Sequence, residues 1–188
     1  MKHRLLLITA LFGLTFFANS QSISVEKSSY GIQSGILGIW VHNESHISNS
    51  IALRTELGMD VGFWAGTFYP KTGYLFSPVI TLEPRWYYNL KKRHSKSKNI
   101  FGNSGNFLTI KSSFHPNWLV ISNYDNVEIV NQISFIPTWG IKRNLGKHFT
   151  YETGIGIGYR YFFAKSAGYY KNEGEAALNL HLRIGYRL

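Results

Sequence analysis

Charged side chains of both signs recur at alternate positions in several stretches of this chain, as in Arg54-Thr55-Glu56 and Glu83-Pro84-Arg85. Alternate residues of a strand point to the same side, so the charges of one stretch share a face. The residues with this spacing are Arg54, Glu56, Asp60, Glu83, Arg85, Lys111, Lys142, Glu152, Arg160 and Arg183. If that face is enclosed, the charges must pair or stay hydrated, because an unpaired buried charge costs several kcal/mol. These charges could therefore form a structural salt-bridge network, or they could line a polar gate or ion path.

The histidines and glycines are weaker candidates for chemistry. His46-Ile47-Ser48 resembles a His-x-Ser dyad, but so short a motif matches easily by chance. His115 and His181 lie on the polar face without a clustered partner, which favours hydrogen-bonded lining over metal ligation. The glycines of 154–158 have the wrong spacing for a phosphate loop. We predict no catalytic residue, cofactor or metal, and we do not expect an enzyme.

The elements that position these residues are predicted to be strands, because the hydrophobic pattern has period two. The clearest case is the last run, where Leu178, Leu180, Leu182 and Ile184 alternate with polar residues. Seven such runs occur, at 31–42, 51–63, 80–90, 108–120, 133–141, 149–163 and 178–188. Turn-like segments separate them at 43–50, 65–76, 91–105, 122–130, 143–148 and 164–175. Residues 23–30 are a candidate for a short eighth strand, and the prolines inside runs, Pro84, Pro116 and Pro137, indicate bulges.

Composition excludes several classes of protein. The chain is 44% hydrophobic and 16% aromatic, which is too apolar for a disordered segment. Beyond the N-terminus it lacks an apolar run of about 18 residues, so a polytopic helical membrane protein is excluded. The absence of cysteine excludes a disulfide framework, a thiolate zinc site and a lipidated cysteine anchor.

Residues 1–20 have the features of a cleaved secretory signal peptide. Lys2 and Arg4 give a positive start, the apolar stretch 5–18 follows, and Ala18-Asn19-Ser20 forms a small-x-small cleavage site. Residues 21–188 are then a single domain, and loss of Lys2 and Arg4 lowers the formal net charge from +10 to +8. An exported chain leaves the cytoplasmic nucleic acids, so its basic character favours contact with anionic lipid or solvent.

The aromatic residues indicate which face of the strands points outward. The apolar face carries Trp86, Tyr88, Trp118, Trp139, Tyr159 and Tyr161. An interior of about eight strands only just accommodates its own side chains, so these rings are expected outside, as an aromatic girdle at a membrane surface. A secreted lipocalin-like barrel that binds an apolar ligand, with the apolar face inside, is the alternative.

The chain resembles the small outer-membrane β-barrel proteins of Gram-negative bacteria, particularly those of the Bacteroidota. The resemblance rests on the segments 31–35, 50–58, 82–89, the alternating glycines of 154–158, and 180–188. It implies an all-β, antiparallel, up-and-down transmembrane β-barrel of about eight strands, monomeric in the outer membrane. It also implies that Leu182, Ile184, Tyr186 and Leu188 form the assembly signal read by the barrel-assembly machinery, with Leu188 in place of the usual aromatic residue. The C-terminus would face the periplasm, and segments 65–76, 122–130 and 164–175 would lie outside the cell. Aromatic residues in these segments are candidates for contact with lipopolysaccharide.

The predicted function is that of an integral outer-membrane barrel with a plugged, salt-bridged polar interior. An eight-stranded interior is too narrow for an aqueous channel, so a structural or surface-interaction role is expected. The alternative suggested by the resemblance is an outer-membrane lipid-modifying enzyme, with a catalytic histidine near the outer rim. The basic run 91–98 contains no aromatic residue on which bases could stack, so we expect no nucleic-acid partner. It is predicted to be a solvated turn, with anionic lipid or a periplasmic polymer as the alternative contact.

Overall fold

Period-two alternation produces strands over most of the described chain. The computed structural model describes residues 23–188, so the predicted signal peptide, residues 1–20, lies outside the described residues. The strands are β1 Ser28–Gly35, β2 Gly38–Ser48, β3 Ile51–Trp64, β4 Gly73–Trp86, β5 Asn106–His115, β6 Ile121–Ser122, β7 Gln132–Leu145, β8 Phe149–Phe162 and β9 Glu173–Arg187. Within residues 23–188, helix is limited to the five-residue α1, Leu90–His94, and the 3₁₀ turns Phe101–Asn103 and Ala164–Ala167.

The nine strands form one antiparallel, ring-like sheet. The strand order is β3-β2-β1-β9-β8-β7-β5-β4-β6, and an additional β3–β4 pairing closes the ring. Among the described strands, the two-residue β6 pairs with β4 alone, so eight long strands make up the wall. The predicted all-β, antiparallel fold is confirmed, and the count of about eight strands agrees with the number of long ones.

The prediction of a single run at 31–42 was wrong. This stretch contains β1 and β2, which pair from Ser28–Ser45 to Gly35–Gly38 around a turn at Ile36 and Leu37. The predicted turn at 43–50 is correspondingly reduced to residues 49–50, and only 28–30 of the proposed extra strand at 23–30 belong to β1. Gly35 and Gly38 flank the turn and have no side chain, so the sequence does not show which face either residue is on, and the alternation is obscured there.

The prolines do not produce the predicted bulges. Pairing between β4 and β5 stops after Leu82–Ser112 and resumes in the same register at Arg85–Thr109. The β7–β8 pairing is interrupted in the same way around Pro137, while Pro116 follows the end of β5. A proline without an N–H is therefore accommodated by a local gap in the hydrogen-bond ladder, with no extra residue.

The polar face of each long strand points into the ring, and the apolar face points away from it. Arg54 and Arg85 are 0% exposed, whereas Leu180 is 70% and Ile155 is 60% exposed. This distribution is the reverse of that in a soluble barrel, whose lining is apolar.

Loops divide between the two ends of the ring. The turn at 36–37 and the loops 65–72, 116–131 and 163–172 lie at one end, which we call the long-loop end. The turns 49–50 and 146–148 and the segment 87–105 lie at the other, which we call the α1 end. A small apolar cluster packs there: Val25, Ala52, Tyr87, Leu90 and Phe107. Across residues 23–188, the helices are too short and too polar to cross a membrane.

Candidate functional site in the ring interior

The Glu44 carboxylate is the centre of the interior contacts. Glu44 lies on β2 and is fully buried. Its partners are Arg54 Nη1 at 3.1 Å, Arg85 Nη1 at 3.3 Å, Lys142 Nζ at 3.0 Å, the Tyr87 hydroxyl at 3.1 Å and Asn103 Nδ2 at 2.8 Å. These donors come from β3, β4, β7 and the segment 87–105, so one carboxylate ties together distant parts of the wall.

Three further carboxylates complete the network. Glu152 accepts two bonds from the guanidinium of Arg85, both at 2.8 Å, which is the strong bidentate geometry. Glu83 accepts a further bond, from Arg85 Nε, at 2.6 Å. Glu56 is bonded to Arg54 Nε and to Arg183 Nη1, the latter at 2.8 Å.

The network balances charge as well as hydrogen bonds. Its acidic members are Glu44, Glu56, Glu83 and Glu152, and its basic members are Arg54, Arg85, Lys142 and Arg183, all at most 2% exposed. Four buried negative charges thus face four buried positive charges. Since a buried charge is tolerated only when it is paired and hydrogen-bonded, this equality is what burial of the network requires.

Aromatic rings support the buried guanidinium groups. Arg85 lies over Phe107 at 4.3 Å, and Arg183 lies over Trp40 at 3.9 Å from the ring centroid. Tyr87 follows the end of β4, and burial together with the charge of Glu44 raises the pKa of its hydroxyl well above the usual value. It therefore remains a hydrogen donor to Glu44.

A small polar cavity lies nearer the long-loop end. Its volume is about 140 Å³, and its lining includes Asp60, Lys111, His115, Arg160 and Arg183. Asp60 accepts a bond from Trp40 Nε1 at 2.7 Å and contacts His115 Nε2 at 2.9 Å. Arg160 contacts Glu175 at 3.6 Å, near the rim.

The structure therefore separates the ten charged residues selected from the sequence into two groups. Seven belong to the buried network, whereas Asp60, Lys111 and Arg160 line the cavity, and Arg183 of the network also lines it. Glu44 was missed because it fell in a predicted turn. Had the 31–42 run been divided into two strands, the second strand would have continued past His42. The alternation would then have placed Glu44 on the same inward face as His42.

The aromatic residues selected as a girdle lie at different heights on the wall. Trp86, Tyr88 and Trp139 lie towards the α1 end, where Trp139 Nε1 donates to the Tyr88 hydroxyl at 2.8 Å. Tyr159 and Tyr161 lie towards the opposite end of β8, and Trp118 lies in the loop 116–131. Of the residues selected as an assembly signal, Leu182, Ile184 and Tyr186 face outward on β9, and Leu188 directly follows that strand and is exposed.

The residues considered for catalysis lie in two separate places. His46-Ile47-Ser48 ends β2 at the α1 end, where the register shifts, far along the strand from the cavity. His115 and Asp60 form an acid–base pair, but the Nδ1 of His115 has no hydrogen-bond partner within residues 23–188. In the same part of the chain, no group of three metal-ligating side chains is brought together. Comparisons of the chain with protein-family models, curated proteins and solved structures found no match.

Proposed function

We propose that this protein is an integral outer-membrane β-barrel with a sealed interior, serving a structural or surface-interaction role. The observation that carries the proposal is the inversion of polarity: charged residues fill the ring while large apolar side chains face away from it. Burial of apolar surface contributes roughly 25 cal/mol per Å², so an outer wall of leucine, isoleucine and aromatic side chains is stable only when something apolar covers it.

Strand length and aromatic placement support lipid as that cover. A tilted strand crosses the hydrocarbon core in about 9–11 residues. The strands β2, β3, β4, β7, β8 and β9 have 11 to 15 residues. Outward-facing tryptophan and tyrosine lie towards both ends, as expected for rings that prefer the membrane–water interface. The resemblance to small outer-membrane barrels agrees with this interpretation.

The proposed seal argues against both a channel and a soluble carrier. It is supported by the charge network inside the ring and by the apolar cluster around Tyr87 and Phe107 at the α1 end. A lipocalin-like carrier needs an apolar lining for its ligand, and this lining is charged. The long-loop end would then be the surface that meets lipopolysaccharide or another protein.

One observation favours a lipid-modifying enzyme as the second candidate. The Asp60–His115 pair lies near the end of β5 that would be close to the outer rim. A hydrolase or acyl transferase also needs a nucleophile next to the base, and His115 Nδ1 is unpartnered within residues 23–188. The non-enzymatic function is therefore preferred. Lipid-modifying activity that His115→Ala abolishes, without loss of folding, would reverse that preference.

Membrane insertion is tested by fractionation and gel migration. The protein should sediment with outer membranes, require detergent for extraction, and migrate differently on a gel before and after heating, because a closed strand ring resists detergent until heated. Recovery in the soluble periplasm without detergent would overturn the proposal.

A further inference from the structure

A basic surface pocket lies at the α1 end, and the sealed interior does not account for it. Its volume is about 440 Å³, and five cationic side chains line it: Lys92, Arg93, Lys96, Lys98 and Arg143. Within residues 23–188, none of its lining residues is acidic. Such a concentration of like charge repels itself unless an anion occupies it.

Two of these cations are held in place by neutral groups. Arg143 donates to the Lys142 carbonyl at 2.7 Å and to Asn106 Oδ1 at 2.6 Å. Arg93 Nη2 donates to the Asn99 carbonyl at 2.8 Å. Neutral acceptors orient the guanidinium groups without cancelling their charge, so the pocket is prepared for a phosphate or carboxylate.

An apolar groove adjoins this pocket on the outer wall. Its volume is about 790 Å³, and its lining includes Pro84, Trp86, Ile110, Pro137, Trp139 and Ile157. Ile110 pairs with Pro137 across β5 and β7, and the interruptions of the β4–β5 and β7–β8 ladders fall beside the same prolines. The compact proline rings leave space that the larger neighbouring side chains enclose.

Tyr88 and Trp139 join the two sites. Tyr88 lines the basic pocket and Trp139 lines the groove, and the indole of Trp139 donates to the Tyr88 hydroxyl at 2.8 Å. The Trp86 and Tyr88 rings also contact each other, with centroids 6.0 Å apart. A charged pocket that continues into an apolar groove through an amphipathic aromatic pair matches a molecule with an anionic head and an apolar tail.

We propose that this surface binds one anionic phospholipid, with its phosphate among the five cations and an acyl chain in the groove. The inference rests on the proposed membrane location, with the α1 end at the periplasmic surface, where phospholipid headgroups would lie. For the basic run 91–98 the first prediction is a solvated turn, and the proposal gives a specific form to the alternative, contact with anionic lipid.

The test measures lipid that stays bound to the folded protein. The barrel is prepared in mixed micelles that contain either phosphatidylglycerol or phosphatidylcholine with identical acyl chains, and the bound lipid is measured by native mass spectrometry. Only material that shows the heat-dependent gel shift is used. The protein should retain more phosphatidylglycerol than phosphatidylcholine. Lys92→Gln, Lys96→Gln and Lys98→Gln combined should lower its retention by at least about tenfold, since each cation near a lipid surface contributes to binding. The matched control combines Lys71→Gln, Lys165→Gln and Lys171→Gln, which remove three exposed lysines from the long-loop end and should change nothing.

The groove is tested separately. Ile110→Trp should reduce retention by filling it, whereas Val41→Trp, at an equally exposed outward position on β2, should not. Equal retention of the two lipids, or full displacement by water-soluble glycerol phosphate, would overturn the lipid site while leaving the barrel proposal intact. Failure to obtain the heat-dependent gel shift at all would overturn the membrane location and the lipid site with it.

Discussion

At the residue scale, the stability of the interior depends on buried carboxylates that contact more than one cation. Glu44 contacts Arg54, Arg85 and Lys142 and also accepts from Tyr87 and Asn103. A surface ion pair such as Lys171–Glu173, 4.0 Å apart and largely exposed, is screened by water and holds nothing else in place. The two kinds of pair should therefore respond very differently to loss of one partner.

Glu44→Gln should lower the free energy of unfolding by about 3–5 kcal/mol, because it leaves an excess positive charge buried among four strands. The measurement is urea unfolding of the refolded barrel in lipid vesicles, followed by tryptophan fluorescence. Glu173→Gln, the exposed control, should cost less than about 1 kcal/mol. Equal losses in the two variants would contradict a cooperative buried network.

At the element scale, the β1–β2 hairpin depends on Gly38. Its φ is +150°, a backbone angle that residues other than glycine rarely adopt. A Cβ added at this position would also clash with the Met59 carbonyl and the Trp40 ring. Gly66 has nearly the same φ, +147°, but open space around it. The two glycines thus separate backbone strain from steric conflict within one protein.

Gly66→Ala should cost about 1–2 kcal/mol from backbone strain alone. Gly38→Ala should cost about 1–3 kcal/mol more, because the new methyl group must also displace β3. Both values come from the same urea titration. If the two substitutions proved equivalent, the close approach of β2 to β3 at Met59 would not be important for stability.

Most of the wall could be predicted from alternation, and the failures have physical causes. Runs such as 149–163 and 178–188 show their two faces plainly because residues with large side chains alternate with small or polar ones. The β1–β2 hairpin was missed because Gly35 and Gly38 have no side chain to mark a face, and its turn, Ile36-Leu37, is apolar. That error removed Glu44 from the predicted network. Tyr87 and Asn103 were beyond prediction, because their contribution depends on how the segment 87–105 folds back over the end of the ring.

At the scale of the whole molecule, three layers succeed one another along the interior. The apolar cluster lies at the α1 end, the buried charge network lies in the middle, and the polar cavity lies towards the long-loop end. A continuous water path would have to pass both the apolar cluster and the network. Removal of one charged partner weakens the network but leaves the cluster in place, so stability and conductance should respond independently.

Glu56→Ala and Arg85→Ala should each destabilise the barrel by about 3–5 kcal/mol, since each leaves former partners buried and unpaired. Neither should open a conductance, because an eight-stranded interior is narrow and the side chains of Tyr87 and Phe107 still close one end. Planar-bilayer recording of the wild type and both variants, with unfolding measured on the same preparations, checks the two halves together. Steady single-channel currents from the wild type would rule out a sealed interior, whereas currents confined to a variant would show that the charge network, rather than the apolar cluster, forms the seal.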